Sequence, residues 1–261
     1  MMTKFLPSAE DVDRQIEDEF RQDLEDSLNE IDIFLGNLRS GVEGSDSGLT
    51  LLRKHAHNLI TQGRGVNMPA VDLLAHRLGE YLGDLKELNE ENLADTQTFI
   101  DKLHGVLEGD MSAANDTPSL VRELPARSIA DIDFGDITPK DIEVLLIVPE
   151  RAMARIVEKE LAECGYRISN ARTSFEGFKM ALQTRPDMVI ASMELSEMTG
   201  IDLSCAFAAM PQTHAMPFAL LTSYHWGNPA LDRLPPRAAL LRKGKEFGGD
   251  LAEALARFRI T

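Results

Sequence analysis

The chemistry in this chain starts from two histidines on one predicted helix, His55 and His57. A neutral imidazole nitrogen is a competent nucleophile toward an acyl phosphate, and an ordinary pKa near ~6.5 leaves much of the ring neutral around pH 7. At ~100° per residue, the apolar stripe of this helix centres between Leu52 and Ala56. His57 then lies about 120° from that centre and reaches solvent, while His55 lies about 80° off on the other flank. Arg53, Ile60, Thr61 and Arg64 share the stripe of His57 at helical spacings. His76 and His104 read as structural or solvated. No metal site is expected: His55, His57 and His76 lack a clean i, i+4 cluster with a carboxylate, and Cys164 and Cys205 share no ligand-type spacing.

The elements that must position these residues change period along the chain. From Asp11 to about Arg39, Ile16, Phe20, Leu24, Leu28, Ile31 and Leu35 form one amphipathic stripe. A second helix, from about Leu49 to Arg64, buries Leu49, Leu52, Ala56, Leu59 and Gly63. A third starts at Pro69, which suits a first-turn position, and buries Val71, Leu74, Leu78 and Leu82. A fourth, from about Glu91 to Leu107, uses Leu93, Phe99, Ile100, Leu103 and Leu107. Four such helices with short connections predict an antiparallel bundle over residues 1–110. Residues 111–140 read as a linker in which Ile129, Ile132 and Phe134 could dock on a domain. Across 141–261, strands at Glu143–Val148, Tyr166–Ala171, Asp187–Ser192, Phe218–Leu221 and Ala238–Leu241 alternate with helices. This pattern predicts a parallel, doubly wound α/β domain.

Charge and composition narrow the function classes. Through residue 116 there are 24 acidic and 10 basic residues, against 15 and 14 from residue 141 onward. An acidic first half repels a phosphate backbone, and no basic patch or helix-turn-helix follows the α/β domain, so nucleic-acid binding is not expected. No apolar run approaches the ~20 residues of a membrane span, and the start MMTKFLPSAEDVDRQ is not a secretory signal. With two cysteines in 261 residues, the expected location is the cytoplasm. Nothing matches a P-loop, a kinase ATP site or a nucleophile elbow, so an independent enzyme is not expected.

Residues 51–82, LLRKHAHNLITQGRGVNMPAVDLLAHRLGEYL, resemble the histidine-phosphotransfer (HPt) family over a span of roughly 10–110. Ala56-His57-Asn58-Leu59 and Leu74-Ala75-His76-Arg77-Leu78 fit that family's frame, which implies a four-helix bundle with His57 as phosphoacceptor. The family's Lys three residues on is Ile60 here, and its Gly four residues on is Thr61. A phosphohistidine needs nearby positive charge, which Arg53 or Arg64 would supply in the lysine's place. Thr61 narrows the space for an incoming partner.

Residues 143–259 resemble response-regulator receiver domains, which implies a flavodoxin-like (βα)5 fold. The framing runs are LLIVPERAMARIV and AECGYRISNARTSFEGFKMALQTRPDMVIASMELSEMTGIDL. Of the receiver's acidic pair, the positions hold Pro149 and Glu150. Ser192 stands where the acceptor Asp is expected, Thr222 at the hydroxyl position, Lys243 at the lysine position with Gly244 after it, and Leu240 at the aromatic switch position. Glu150 beside a neutral Ser192 leaves too little charge for Mg²⁺, so no cofactor is expected, and Lys243 is left with Glu150 or solvent as partner. Together the resemblances imply a bacterial two-component protein. It would be a phosphorelay intermediate that exchanges phosphate on His57 with receiver domains of response regulators or hybrid kinases, with a pseudoreceiver as docking module. The alternative is a non-catalytic scaffold or inhibitor of a histidine kinase or response regulator.

Overall fold

The computed structural model describes residues 9–42, 45–63, 68–109, 117–125 and 140–260. The chain divides into two units, residues 1–130 and 131–261. The first is helical: α1 (Ala9–Arg39), α2 (Ser45–Gly63), α3 (Pro69–Asp84), α4 (Glu90–Leu107) and the short α5 (Thr117–Arg122). α1 packs on α2 and α4, and α3 completes the ring against α2 and α4. The predicted stripes meet in one core that includes Leu28, Leu35, Leu52, Leu59, Leu74, Leu78, Phe99 and Leu103. Each leucine so buried contributes about 1.5–3 kcal/mol relative to exposure.

Polar contacts fix the helix ends and faces. Pro69 stands in the first turn of α3, where a missing N–H costs nothing. The Asn89 side chain accepts from the Asn92 N–H at 2.8 Å and caps α4. The Asp32 carboxylate on α1 accepts from Gln97 Nε2 at 2.6 Å and lies 3.0 Å from His104 Nε2, both on α4. The Tyr81 hydroxyl donates to Asp95 at 2.7 Å; burial, then that carboxylate, pushes its pKa up.

Two expectations change in this unit. Ile16 and Phe20 belong to the α1 stripe but are 45% and 38% exposed. At 1.5 Å per residue, the 31 residues of α1 run about 46 Å, while α2, α3 and α4 have only 19, 16 and 18 residues. The stripe therefore outruns the partners that could cover it. Within the stretch expected as linker, α5 buries Leu120 and Val121, and Leu124 just after it is buried too. Leu120 and Leu124 join the first unit's core, and Glu123 pairs with Lys102 of α4. The residues Ile129, Ile132 and Phe134 lie outside the described ones.

The second unit is an α/β layer structure. Its strands are β1 (Glu143–Ile147), β2 (Arg167–Ala171), β3 (Met188–Ser192), β4 (Phe218–Thr222) and β5 (Ala239–Arg242). Its helices are α6 (Arg151–Glu163), α7 (Ser174–Thr184), α8 (Gly200–Ala209) and α9 (Phe247–Phe258). All pairings are parallel, in the order β2-β1-β3-β4-β5, the flavodoxin-like doubly wound order. The runs EVLLI, MVIAS and FALLT are buried throughout, as strands covered on both faces must be. Right-handed crossovers put α6 on one face and α7 and α8 on the other, so the winding reverses between β1 and β3.

The (βα)5 expectation fails at the fourth crossover. Between β4 and β5 the regular element is a 3₁₀ turn, Pro229–Leu231, and no α-helix forms. Pro229, Pro235 and Pro236 remove N–H donors from this stretch, and Gly227 takes φ +88°. The connection therefore crosses as a loop, residues 223–238, with Tyr224 and Trp226 43% and 62% exposed.

Candidate functional site

On α2, Leu52, Ala56 and Leu59 turn inward, and His57 is exposed on the opposite side. His55 is half-buried beside Phe34 of α1, with ring centroids 5.8 Å apart. The Thr61 hydroxyl donates to the His57 carbonyl at 3.1 Å, the usual bond of a helical threonine to the preceding turn. Ile60 leans on α3: a Cβ added at Gly79 would lie 3.0 Å from Ile60 Cδ1. An apolar side chain thus fills the α2–α3 groove where the phosphotransfer frame expects a lysine.

Arg53 departs from its expected role. Its Nε donates to the Leu82 carbonyl at 2.9 Å, and its Nη2 donates to those of Leu85 at 2.6 Å and Gly83 at 3.3 Å. These are the open acceptors at the C-terminus of α3, which attract a cation both by hydrogen bonding and by the helix dipole. The guanidinium therefore fastens α3 to α2, with three of its five donor positions directed to the end of α3. Arg64 lies outside the described residues. Lys54, exposed and three residues before His57, is a cation on its stripe that the sequence reading passed over.

The second candidate site is the C-terminal edge of the sheet, where the winding reverses. Register sets Ser192 beside Leu221 and Thr222 beside Arg242, so the ends of β3, β4 and β5 are adjacent. Ser192 is 4% exposed, and Gly200 at the start of α8 presses on its backbone. A Cβ on Gly200 would lie 2.7 Å from Leu220 Cδ1 and closer still to the Ser192 carbonyl oxygen. The Thr222 hydroxyl donates to Met193 Sδ at 3.3 Å and accepts from the Tyr224 N–H at 3.2 Å, so it is already engaged. The Lys243 N–H donates to the Thr222 carbonyl at 2.8 Å, while its half-exposed ammonium has no ion-pair partner among the described residues. Glu150 sits at the N-cap of α6 with its carboxylate exposed and not capping. The four residues thus line one edge, but Lys243 and Glu150 do not pair. An exposed carboxylate, a buried neutral hydroxyl and an occupied threonine do not fit the oxygen cage that Mg²⁺ requires. Among the described residues, no three His, Cys, Asp or Glu side chains gather into a metal-holding group.

Two further carboxylates organise this edge. Glu197, in the loop after β3, accepts from the Ser174 hydroxyl at 2.7 Å and the Ser174 N–H at 3.1 Å, and these bonds hold its carboxyl below the usual range. Asp250 on α9 accepts from Arg242 through its backbone N–H at 2.8 Å and its guanidinium at 2.8 and 2.6 Å. Glu246 also pairs with Arg242, and His225 Nδ1 lies 3.4 Å from it. The Arg242 bonds lower the Asp250 carboxyl and raise Arg242. The only sequence signal for this pair is an eight-residue spacing across a strand–helix corner.

No protein-family model matches the chain. Histidine kinase P4 of Formosa agariphila is 28% identical over 116 residues, which is 44% of this chain and 8% of that protein; the chain therefore spans under a tenth of the relative's length. Solved structures with similarity to the chain include response regulators and a kinase's receiver domain. The chemotaxis response regulator CheY4 of Vibrio cholerae (21% identical, TM-score 0.40) covers 45% of this chain and 98% of its own. A putative response regulator from Chloroflexus aurantiacus (20%, TM-score 0.41) covers 47% and 99%. The signal receiver domain of a histidine kinase from Syntrophus aciditrophicus (24%, TM-score 0.40) covers 44% and 88%. The C-terminal half resembles response-regulator receiver domains. Among the described residues no helix is long and apolar enough to cross a membrane.

Proposed function

We propose that this protein acts in two-component signalling as a phosphoryl carrier rather than an independent enzyme. Its first unit is an HPt-type bundle that takes phosphate on His57 from a partner receiver's aspartate and hands it on. Its second unit is a pseudoreceiver that docks partners without Mg²⁺ and without being phosphorylated. The observation that carries this reading is the pairing of an exposed imidazole on α2 with a receiver-like strand edge whose acceptor position is a buried serine. A hydroxyl with no base beside it is a far poorer phosphate acceptor than a carboxylate, so exchange with His57 runs between molecules. The test is transfer in trans from labelled, phosphorylated receivers to wild type, His57→Ala and His55→Ala. Acid-labile label on wild type and His55→Ala, absent from His57→Ala, is the expected result. The absence of label from all three would overturn the relay.

A second reading, a scaffold or inhibitor that occupies a kinase or response regulator, draws support from one observation. The guanidinium of Arg53 is spent on α3 and Ile60 is packed on Gly79, which thins the positive charge around His57. Binding of receivers that survives His57→Ala without any transfer would favour it.

A further inference from the structure

The helix missing from the fourth crossover leaves a cavity. A right-handed connection from β4 to β5 passes over the face that α8 covers, and a helix there would close the lower half of both strands. The loop 223–238 does not, and a cleft of about 380 Å³ opens between α8, the starts of β4 and β5, and the end of α9. That volume lies within the range of small-molecule sites. Its walls are apolar, with Phe207 and Phe218 in ring contact at 5.4 Å and Met216 and Phe258 alongside.

The polar lining has one sign. Arg237, Arg257 and His214 line the cleft and no Asp or Glu does, in a chain with 43 acidic and 27 basic residues. Both arginines are exposed at the rim, Arg257 tethered by backbone carbonyls and Arg237 by one long contact. Arg257 donates to the Pro236 carbonyl at 2.8 Å and the Ala238 carbonyl at 3.4 Å, and Arg237 donates to the His214 carbonyl at 3.4 Å. Neither has a carboxylate partner among the described residues. Each keeps N–H donors to spare, since a guanidinium carries five. The hydroxyls in the lining are already used: Ser204 donates to the Ile201 carbonyl and Thr213 to that of Phe207, both at 2.8 Å. His214 Nδ1 lies 2.8 Å from the Pro211 carbonyl, so the two arginines and His214 Nε2 are the groups left to recognise a polar ligand.

We propose that this cleft binds a small carboxylate with an apolar chain, its head between Arg237 and Arg257 and its chain against Phe207 and Phe218. Arginine forks match carboxylates in a planar, two-point manner, and the apolar walls reward a hydrocarbon body. The site lies at the opposite end of the strands from Ser192 and Lys243, so it is independent of the relay proposal.

Calorimetric titration of the full chain with decanoate and with decanol, both below their aggregation limits, tests this. Saturable one-to-one binding of decanoate is expected, with decanol at least about tenfold weaker. Arg237→Gln should weaken decanoate about tenfold and leave decanol unchanged. Arg257 also supports two backbone carbonyls, so its replacement is less clean. Ala208→Phe, at an exposed lining position on α8, instead fills the cleft without touching the core and should abolish binding of both while the urea midpoint stays put. No saturable decanoate binding, or equal affinity for decanol and decanoate, overturns the proposal. So does binding that persists in a folded Ala208→Phe protein.

Discussion

The guanidinium of Arg53 donates to the Leu85 carbonyl at 2.6 Å, so a residue of α2 caps the end of α3. A charged hydrogen bond of this kind contributes about 1.5–3 kcal/mol when shielded, and less where water competes, as it does at this exposed side chain. Arg53→Ala should lower unfolding stability by about 1–2 kcal/mol. Any label acquired by His57 should be unchanged under conditions where the variant is folded. Urea unfolding and the transfer assay read the two effects separately; loss of label from folded Arg53→Ala would return Arg53 to the site.

Ile60 fills a groove against Gly79 at the position where the phosphotransfer frame places a lysine. On the relay reading, Ile60→Lys restores a cation one turn from His57. It should raise the rate of labelling or the lifetime of phosphohistidine several-fold while costing about 1 kcal/mol of burial. Single-turnover transfer kinetics and a urea midpoint check this, and an unchanged rate would count against a charge deficit at His57.

Gly200 and Gly249 both lie in helices but should respond in opposite directions to alanine. A methyl at Gly200 runs into the Ser192 carbonyl and Leu220, where backbone cannot yield, and should cost about 1–3 kcal/mol or more. Gly249, on the exposed face of α9, has nothing within 4 Å, and alanine there should gain about 0.5–1 kcal/mol from helix propensity. Thermal and urea melts of the two variants decide the matter.

Asp250 sets an acid limit on the second unit. Its carboxyl is lowered chiefly by Arg242, so its contribution is complete above the ordinary carboxylate pKa and disappears as pH falls through the depressed one. Glu197 is lowered by Ser174, and Asp202 by Thr199 in its capping box at the start of α8; both act in the same direction. Asp250→Asn should be less stable than wild type at neutral pH, and the gap should close below about pH 4. Urea midpoints across that range test it; a gap that widens in acid would contradict the assignment.

Periodicity made the cores legible. Leu28, Leu52, Leu74 and Leu103 could be placed because helical spacing alone reports which face turns inward. The buried runs at β1, β3 and β4 were equally plain. Spacing does not report the length of a neighbour, which is why Ile16 and Phe20 read as core. Nor does it report which of two partners a long side chain takes. His57 and the α3 carbonyls both lie within reach of Arg53, and the choice is made by tertiary packing. The failed fourth helix did carry a signal, in Pro229, Pro235 and Pro236, which the strand–helix alternation overrode.

The proline-bearing crossover also bears on how information could pass through the second unit. A packed helix can take two registers against a sheet and so store a choice between them. The crossover here is a largely exposed, proline-rich loop, with His225 Nδ1 3.4 Å from Arg242 at its corner with Asp250. On the docking reading proposed above, such a unit works as a template more than as a lever, because that flank carries no helix to shift between registers.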